Sequence, residues 1–304
     1  MTPAQTPRDC PVCGRNEAEP YLLKGELRLV RCRHCAMIYA NPVPGEYASG
    51  EYYDRAGTDY YLSPAKLESD YAAVRFEREV RLFRRHCQGG AVLDVGCSSG
   101  AFLYQLNHRF LGCYQVLGAD VSGPPLDYAE SRGVAVIRGN FLEQDFGGRQ
   151  FDAVTFWAVL EHLAAPQRFL TKAATVLKPN GLCFVLVPNM KSLAARTLGA
   201  RYRYIYPQHL NYFTQATLTK MVEAQFSVIQ RSTTHFNPIL IWQDWRGGGK
   251  DVSNRERAQL LRRTTAYKQS AWLRPVNALY TLAEKALGAV NLADNLVVVL
   301  RRRA

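Results

Sequence analysis

The feature that most constrains this chain is an alternation of short apolar runs with longer helical segments, which begins at Ala91. Seven runs rich in β-branched residues are predicted strands: AVLDV, QVLGAD, VAVIRG, FDAVTFW, GLCFVLV, SVIQRS and NLVVVLR. Four segments between them have apolar residues at helical spacing: AFLYQLNHRF, PLDYAESR, PQRFLTKAATVLK and ATLTKMVEAQ. Because strands that alternate with helices pair in parallel and are covered on both faces, we predict an α/β fold with a mostly parallel, seven-stranded sheet.

The 304 residues leave room for further units around this sheet. The turn-rich segment NPVPGE marks a boundary near residue 45. A tyrosine-rich connector follows, whose tyrosines we expect to pack one unit against another, with a lid over a ligand as the alternative. An amphipathic helix is predicted from Lys66 to Cys87. The predicted units are a cysteine module at 1–45, the connector and lead-in helix at 46–88, the core at 89–235 with an insertion at 189–213, a basic helical insertion at 236–288 and the final core strand at 289–304.

Four of the eight cysteines fall in two pairs with the spacing of a structural zinc site. Cys10 and Cys13 form one pair, and Cys32 and Cys35 form the other. Two thiolates three positions apart hold one tetrahedral ion from a tight turn, and a second such turn completes the coordination. Gly14 favours that turn because glycine adopts positive φ without strain. The sequence therefore predicts an N-terminal zinc ribbon with a structural metal, and four unligated core cysteines are the alternative.

A glycine-rich loop follows the first predicted strand of the core. In VLDVGCSSG, the residues Asp94, Gly96, Ser98 and Gly100 occupy alternate positions immediately before a predicted helix. Such a turn brings a ligand close to the backbone amides at the helix start. The second strand ends at Asp120, whose carboxylate can accept two hydrogen bonds from the hydroxyls of a ribose. Together these features predict a nucleotide-type pocket at the carboxyl edge of the sheet.

The loop, Asp120 and the strand pattern resemble the class I S-adenosylmethionine-dependent methyltransferases, which have a Rossmann-like fold with helices on both faces of the sheet. The resemblance covers residues 66 to 235 and extends to the final strand. It implies that the loop holds the methionine part of S-adenosylmethionine, that Asp120 holds the ribose, and that Asn140 and Phe141 contact the adenine. The implied cofactor-binding residues are Asp94, Gly96, Cys97, Ser98, Gly100, Asp120, Val121, Asn140, Phe141 and Trp157.

A second resemblance concerns the acceptor. The cysteine pairs, the tyrosine-rich connector, EHL at residues 161–163 and HLNYFT at residues 209–214 together resemble ribbon-bearing methyltransferases of sugar, polysaccharide and secondary-metabolite tailoring. This resemblance implies methyl transfer to a small-molecule or glycosidic acceptor, with an acceptor linked to a nucleotide or lipid diphosphate as one form. The Asn/Asp-Pro-Pro motif of amino-directed nucleic-acid methyltransferases does not follow the fourth strand.

Methyl transfer to a hydroxyl, amine or activated carbon also requires a group that accepts the departing proton. Histidine is the side chain best suited to this role near neutral pH. His209 lies in the insertion where acceptor-binding residues are expected, and we favour it as the general base. His162 follows the fourth strand and is the alternative, with a structural or cofactor-side role also open. Tyr206 and Tyr212 are candidates to assist catalysis, and Glu161 to orient a neighbouring side chain.

The chain has 38 lysines and arginines against 26 acidic residues, which gives a net charge of +12. Residues 246–275 carry +6 and residues 191–204 carry +4. These segments are candidates to bind a diphosphate through guanidinium groups, or to form a solvated helix face. Because leucines and Trp272 accompany the charges, peripheral contact of residues 250–287 with an anionic membrane is a third possibility.

Two other functions stay open at this stage. An RNA methyltransferase would use the ribbon and the basic insertions to bind phosphates, although nucleic acid is the less favoured partner. A non-catalytic scaffold would keep the fold without turnover, but the intact loop and Asp120 argue against it. The N-terminus lacks the features of a secretory signal, and no apolar run approaches the ~18 residues of a transmembrane segment. We therefore expect a cytoplasmic protein, with contact at the inner membrane surface as an alternative.

Overall fold

The computed structural model describes residues 5–49, 52–53, 57–248, 253–270 and 274–303. Thirteen strands are found in these ranges. They are β1 (Gln5–Thr6), β2 (Ala18–Lys24), β3 (Leu27–Cys32), β4 (Ile38–Ala40), β5 (Val43–Pro44), β6 (Gly90–Val95), β7 (Tyr114–Asp120), β8 (Val136–Arg138), β9 (Phe151–Trp157), β10 (Leu177–Pro188), β11 (Asn211–Tyr212), β12 (Phe226–Thr234) and β13 (Asn295–Arg302).

The α-helices of the described residues follow the same chain order. They are α1 (Gly45–Ser49), α2 (Pro64–Tyr71), α3 (Glu77–His86), α4 (Ala101–Arg109), α5 (Gly123–Ser131), α6 (Pro166–Val176), α7 (Leu193–Leu198), α8 (Gln215–Val222), α9 (Pro238–Gly247), α10 (Asn254–Gln269) and α11 (Arg274–Ala289). A π-helical turn lies at Gly57–Tyr61, and short 3-10 helices lie at Phe141–Glu143, Leu160–His162 and Gly199–Arg201.

Seven strands form the central sheet in the order β12-β13-β10-β9-β6-β7-β8. Strands β8, β7, β6, β9 and β10 pair in parallel, whereas β13 is antiparallel to both of its neighbours. Apolar residues of β9, β10 and β13 are buried because helices cover the sheet. This arrangement confirms the predicted Rossmann-like α/β fold with a mostly parallel, seven-stranded sheet.

The predicted helix from Lys66 to Cys87 is two helices, and the prediction of one continuous helix is wrong. The backbone of Ala72, with φ −65° and ψ 133°, ends α2. In a continuous helix, the Tyr71 carbonyl would accept a hydrogen bond from a backbone amide of the next turn. Here it accepts one at 3.0 Å from the side chain of Gln105, which belongs to α4. The contact between α2 and α4, which the local periodicity does not encode, accounts for the break.

The N-terminal cysteine module shares a sheet with the insertion of the core. Its four strands lie in the order β11-β4-β3-β2, and β11 belongs to the segment predicted as the acceptor insertion, 189–213. Asn211 and Tyr212 pair with Tyr39 and Ile38. This strand pairing joins the module directly to the chain that carries His209.

Helices α9 to α11 correspond to the predicted basic insertion. Arg255, Arg262 and Arg263 are exposed on α10, as expected for a solvated helix face. Gly249, Lys250, Trp272 and Leu273, which belong to the predicted hinge, basic run and membrane-facing stripe, lie outside the described residues. None of the helices within the described ranges is long and apolar enough to cross a bilayer.

Candidate active site

The loop after β6 turns sharply at three residues that have left-handed backbone. Gly96, Ser98 and Gly100 have φ of 74°, 50° and 73°. A Cβ at Gly96 would lie 2.6 Å from the Val159 side chain, and one at Gly100 would lie 2.8 Å from the Ala129 Cβ. Glycine therefore lets the loop pack this closely against its neighbours. Helix α4 begins directly after the loop, and the first amides of a helix have no partner within it.

Asp120 holds this loop in place from the end of β7. Its Oδ2 accepts a hydrogen bond from the Ser98 amide at 2.8 Å, and its Oδ1 accepts one from the Ser122 amide at 3.0 Å. Burial raises the pKa of Asp120 despite these bonds. Asp94 lies beneath the loop and accepts a hydrogen bond from the Thr155 hydroxyl at 2.5 Å, while burial raises its pKa to about 7. Each Asp120 oxygen keeps a lone pair for a further donor.

A cavity of about 780 Å³ opens over the carboxyl ends of β6, β7 and β9. Gly100 immediately precedes α4 as its N-cap residue and is outside the cavity wall. The structure brings most of the other predicted cofactor-binding residues together in this wall. They are Asp94, Gly96, Cys97, Ser98, Asp120, Val121, Phe141 and Trp157.

Asn140 is the predicted cofactor-binding residue whose side chain is engaged elsewhere. Its Oδ1 accepts a hydrogen bond from the Leu142 amide at 3.1 Å, and its Nδ2 donates one to Glu143 at 3.0 Å. These bonds cap the short helix Phe141–Glu143. The buried ring of Phe141 lines the cavity as predicted. Asn140, whose amide was predicted to contact the adenine, does not line it.

Tyrosines line the opposite half of the same cavity. Tyr52, Tyr53, Tyr60 and Tyr61 come from the connector, and Tyr206 comes from the insertion. Their place in the cavity wall fits the alternative of a lid over a ligand, and the hydrogen bonds of Tyr52 and Tyr53 to Gln208 also pack the connector against the insertion. Their hydroxyls give an otherwise apolar surface several hydrogen-bonding positions.

His162 and His209 lie next to each other in this half of the cavity, with ring centroids 4.6 Å apart. The Nδ1 of His162 lies 2.9 Å from the Gln208 carbonyl oxygen, and the Nδ1 of His209 lies 2.9 Å from that of Tyr204. Because a carbonyl oxygen only accepts, we assign the proton of each ring to Nδ1, which leaves Nε2 as an acceptor. The Tyr53 hydroxyl is 2.8 Å from the His162 Nδ1.

Burial makes both imidazoles and a neighbouring carboxyl group electrically neutral near pH 7. It lowers the pKa of His162 to about 4, and it lowers the pKa of His209 well below its usual value. Glu161 is also buried, which raises its pKa to about 8. Its Oε2 has no hydrogen-bond partner among the described residues. A nitrogen of each ring and a carboxylate oxygen of Glu161 lie within 4.8 Å of one another, so a proton gained by either ring lies beside a carboxyl group.

Comparison with known proteins identifies the fold and the reaction class. A family model described as a methyltransferase domain matches residues 70–230, which is more than half of the chain. The chain belongs to this methyltransferase family. Together with the relatives described next, this match identifies a class I S-adenosylmethionine-dependent methyltransferase.

Curated relatives of this methyltransferase include two proteins named ubiquinone biosynthesis O-methyltransferase. The protein from Dinoroseobacter shibae is 27% identical, with 68% of this chain and 89% of that protein covered. The protein from Bradyrhizobium diazoefficiens is 35% identical, with 51% of this chain and 64% of that protein covered.

Two solved structures share the fold of this methyltransferase. A possible histamine N-methyltransferase from Thermotoga maritima has a TM-score of 0.54 and 14% identity, with 83% of this chain and 99% of that chain covered. An S-adenosylmethionine-dependent methyltransferase from Archaeoglobus fulgidus has a TM-score of 0.50 and 17% identity, with 82% and 99% covered. At these identities the likeness concerns the fold alone.

The two tyrosines predicted to assist catalysis occupy different layers of this methyltransferase. Tyr206 lines the cavity, and its hydroxyl accepts a hydrogen bond from Arg257 at 3.1 Å. Tyr212 is buried behind the cavity wall, and its hydroxyl donates to the Tyr206 carbonyl at 3.3 Å. Tyr212 is therefore placed to support the Tyr206 backbone and not to touch an acceptor.

The four cysteines of the N-terminal module converge as the spacing predicted. The Sγ atoms of Cys10 and Cys35 are 3.4 Å apart, those of Cys13 and Cys32 are 3.5 Å apart, and all four lie within 4.8 Å of one another. Tetrahedral Zn–S bonds of about 2.3 Å require sulfur separations of roughly 3.8 Å, so the donor set fits zinc.

Tyr53 and Arg257 are two of the cavity residues that were not among the predicted site residues. Tyr53 reaches the cavity from the connector, and Arg257 reaches it from α10. The clustering of tyrosines was a usable signal for Tyr53. No sequence signal separated Arg257 from the exposed arginines around it, because the choice depends on which face of α10 packs over the cavity.

Proposed function

We propose that this methyltransferase transfers the methyl group of S-adenosylmethionine to a small-molecule or glycosidic acceptor bound in the tyrosine-lined half of the cavity. The observation that carries this proposal is that one cavity extends from the glycine loop and Asp120 to the imidazoles of His162 and His209. The names of the curated relatives support a small acceptor with a hydroxyl group. An acceptor linked to a nucleotide or lipid diphosphate belongs to the same proposal.

The chemistry of the loop half suits the proposed cofactor contacts. In this proposal, the free lone pairs of Asp120 accept hydrogen bonds from the ribose hydroxyls, and the ring of Phe141 packs against the adenine. When bound, S-adenosylmethionine supplies a methyl group on a positively charged sulfur. The proposed cofactor-binding set is Asp94, Gly96, Cys97, Ser98, Gly100, Asp120, Val121, Phe141 and Trp157, with Asn140 holding the turn that carries Phe141.

The proposed base is His209, with His162 as the alternative. Each ring has Nε2 free to accept a proton once Nδ1 donates to a carbonyl. Burial disfavours the resulting imidazolium, and ionisation of the adjacent Glu161 carboxyl group, which is protonated near pH 7, would offset part of that cost. The surrounding tyrosines exclude bulk water and align the acceptor, which accounts for most of the catalysis expected for an in-line displacement.

We also propose that Cys10, Cys13, Cys32 and Cys35 bind one structural Zn²⁺. Four thiolates fill the coordination shell and leave no open position for an acceptor. The metal then stabilises the fold of the module. Because β11 pairs with β4 of the module, it also stabilises the position of the chain next to His209.

The first experiment measures cofactor binding by calorimetry. We expect Asp120→Ala to weaken S-adenosylmethionine binding roughly 10- to 1,000-fold, because it removes up to two charged hydrogen bonds to the ribose. Asp145→Ala is the control, since Asp145 is exposed and outside the cavity wall. Unchanged affinity in Asp120→Ala would overturn the ribose assignment.

The second experiment measures methyl transfer from labelled S-adenosylmethionine to phenolic acceptors, sugar nucleotides, lipids and RNA as separate arms. We expect transfer in a small-molecule arm, and transfer to RNA alone would contradict the proposal. With a working acceptor, we expect His209→Gln to lower kcat about 10²- to 10⁴-fold at unchanged cofactor affinity. Loss in His162→Gln but not in His209→Gln would assign the base to His162.

A further inference from the structure

Helix α10 covers part of the cavity with one face. Asn254, Arg257, Leu261, Thr264 and Lys268 all line the cavity, and they follow one another at intervals of three or four residues. This spacing places them along a single side of the helix. Cavity contact therefore separates Arg257 from the exposed arginines of the same helix.

Aromatic rings surround the guanidinium group of Arg257. It lies 4.7 Å from the centroid of the Tyr206 ring and 5.1 Å from that of the Tyr60 ring. Its Nη2 donates a hydrogen bond to the Tyr206 hydroxyl at 3.1 Å. These contacts fix the plane of the group and leave further N–H donors of the guanidinium for a ligand.

Two other cations of the cavity wall form ion pairs with acidic side chains. Arg203 forms an ion pair with Asp244 at 2.5 Å, and Lys66 forms one with Asp70. Within the part of the chain that the structure describes, Arg257 forms no ion pair with a carboxylate. A cation that is partly removed from water without a counter-charge is costly, and an anionic ligand would remove that cost.

The charge of Arg257 also acts on the candidate bases. Burial is the main cause of the lowered pKa of His162 and of His209, and the positive charge of Arg257 lowers both further. The guanidinium and the two imidazoles thus face one space. A single acceptor can present an anionic group to Arg257 and its reacting atom to the histidines.

We propose that Arg257 binds an anionic group of the methyl acceptor, either a carboxylate or a phosphate, and so selects acidic acceptors. This inference rests on the proposed function, because it takes the acceptor to lie in this cavity. Guanidinium groups bind carboxylate and phosphate through paired hydrogen bonds, so both sources share one recognition chemistry.

The test measures anion binding to the full chain by calorimetry, with S-adenosylhomocysteine present and at constant ionic strength. Benzoate, inorganic phosphate and pyrophosphate are separate arms. We expect at least one of them to bind, and Arg257→Gln to weaken that binding roughly 10- to 100-fold. Arg257→Lys should retain part of the affinity because it keeps the charge but loses the planar donor pair.

Arg263→Gln is the matched control, because it removes the same charge from an exposed position of α10. Its anion affinity should equal that of the unaltered protein. Equal affinity in Arg257→Gln, or no binding of any of the three anions by the unaltered protein, would refute the inference. Cofactor affinity is measured for every variant, and Arg257→Lys replaces Arg257→Gln if the latter does not fold. Failed cofactor binding by the unaltered protein would instead refute the proposed function, since the anion measurement can be repeated without S-adenosylhomocysteine.

Discussion

Replacing Arg8 by alanine should destabilise the protein where the cysteine module contacts the chain around His209. The Arg8 side chain donates to the carbonyls of Ala40 at 3.1 Å, Ala164 at 3.0 Å and Leu210 at 2.5 Å. It also donates to the Asn211 side chain at 3.1 Å. Burial of the guanidinium group lowers the pKa of Arg8 to about 10.

The expected loss follows from these four bonds. A single hydrogen bond to a charged group contributes about 1.5–3 kcal/mol, but desolvation of the guanidinium offsets much of the total. Leu210 keeps a second donor in the Ala40 amide at 2.9 Å, so its carbonyl stays satisfied after the substitution. We therefore expect Arg8→Ala to lower the free energy of unfolding by about 3–5 kcal/mol, or the Tm by roughly 5–8 °C.

Thermal unfolding followed by circular dichroism measures this effect, with Arg15→Ala as the control because Arg15 is exposed in the same module. Arg8→Lys should give an intermediate loss, since lysine has three donors and cannot satisfy all four acceptors. Cofactor affinity should stay unchanged, because Arg8 contacts no part of the loop after β6, whereas KM for the acceptor should rise. A Tm for Arg8→Ala within the error of the Arg15→Ala value would refute this reasoning.

Three further predictions concern the metal module and the buried imidazole. Ala36 has φ 59°, so Ala36→Gly should raise the free energy of unfolding by up to about 1 kcal/mol in thermal melts, and Gly14→Ala, at φ 69°, should lower it. Cys32→Ser should lose the bound zinc, measured by elemental analysis as metal per chain, and equal zinc content would contradict the four-thiolate assignment. The pKa of His162 is about 4 in the folded protein and near 6.5 in the unfolded chain. The neutral buried ring therefore makes its full contribution to the free energy of unfolding above pH 6.5, and this contribution is lost as the pH falls toward 4. When the pH falls from 7.5 to 5.5, the free energy of unfolding measured by urea titration should decrease by about 1.3 kcal/mol more in the unaltered protein than in His162→Gln. Equal decreases in the two proteins would count against burial of a neutral ring.

Much of the fold was predictable because its signals are local. All seven strands of the central sheet lie where the sequence predicted them. The interior strands β9, β10 and β13 are continuous apolar runs because they are covered on both faces, whereas the edge strand β12 alternates buried and exposed residues. The loop from Asp94 to Gly100 was equally visible, because its positive φ values favour glycine and the approach of Val159 leaves no room for a Cβ at Gly96.

The tyrosine-lined half of the cavity was predicted less completely because it depends on contacts between distant segments. The sequence indicated His162 and His209, but their shared space depends on the fold that brings residues 161–162 beside the insertion. Asn140 turned out to cap a short helix, a local bond that competes with the cofactor contact expected from the resemblance. Tyr53 is fixed by its contact with His162, which no pattern within the connector encodes.

By itself, the sequence determined the strands of the central sheet, the glycine-rich loop after β6 and the convergence of the two cysteine pairs, because each follows from periodicity or from the spacing of a few residues. Tertiary structure alone decided that β11 pairs with β4, that α2 ends at Tyr71, and that Arg257 faces the cavity while Arg263 faces solvent. Those outcomes depend on which surfaces pack together when distant segments bury their apolar faces, and the local sequence does not specify those contacts.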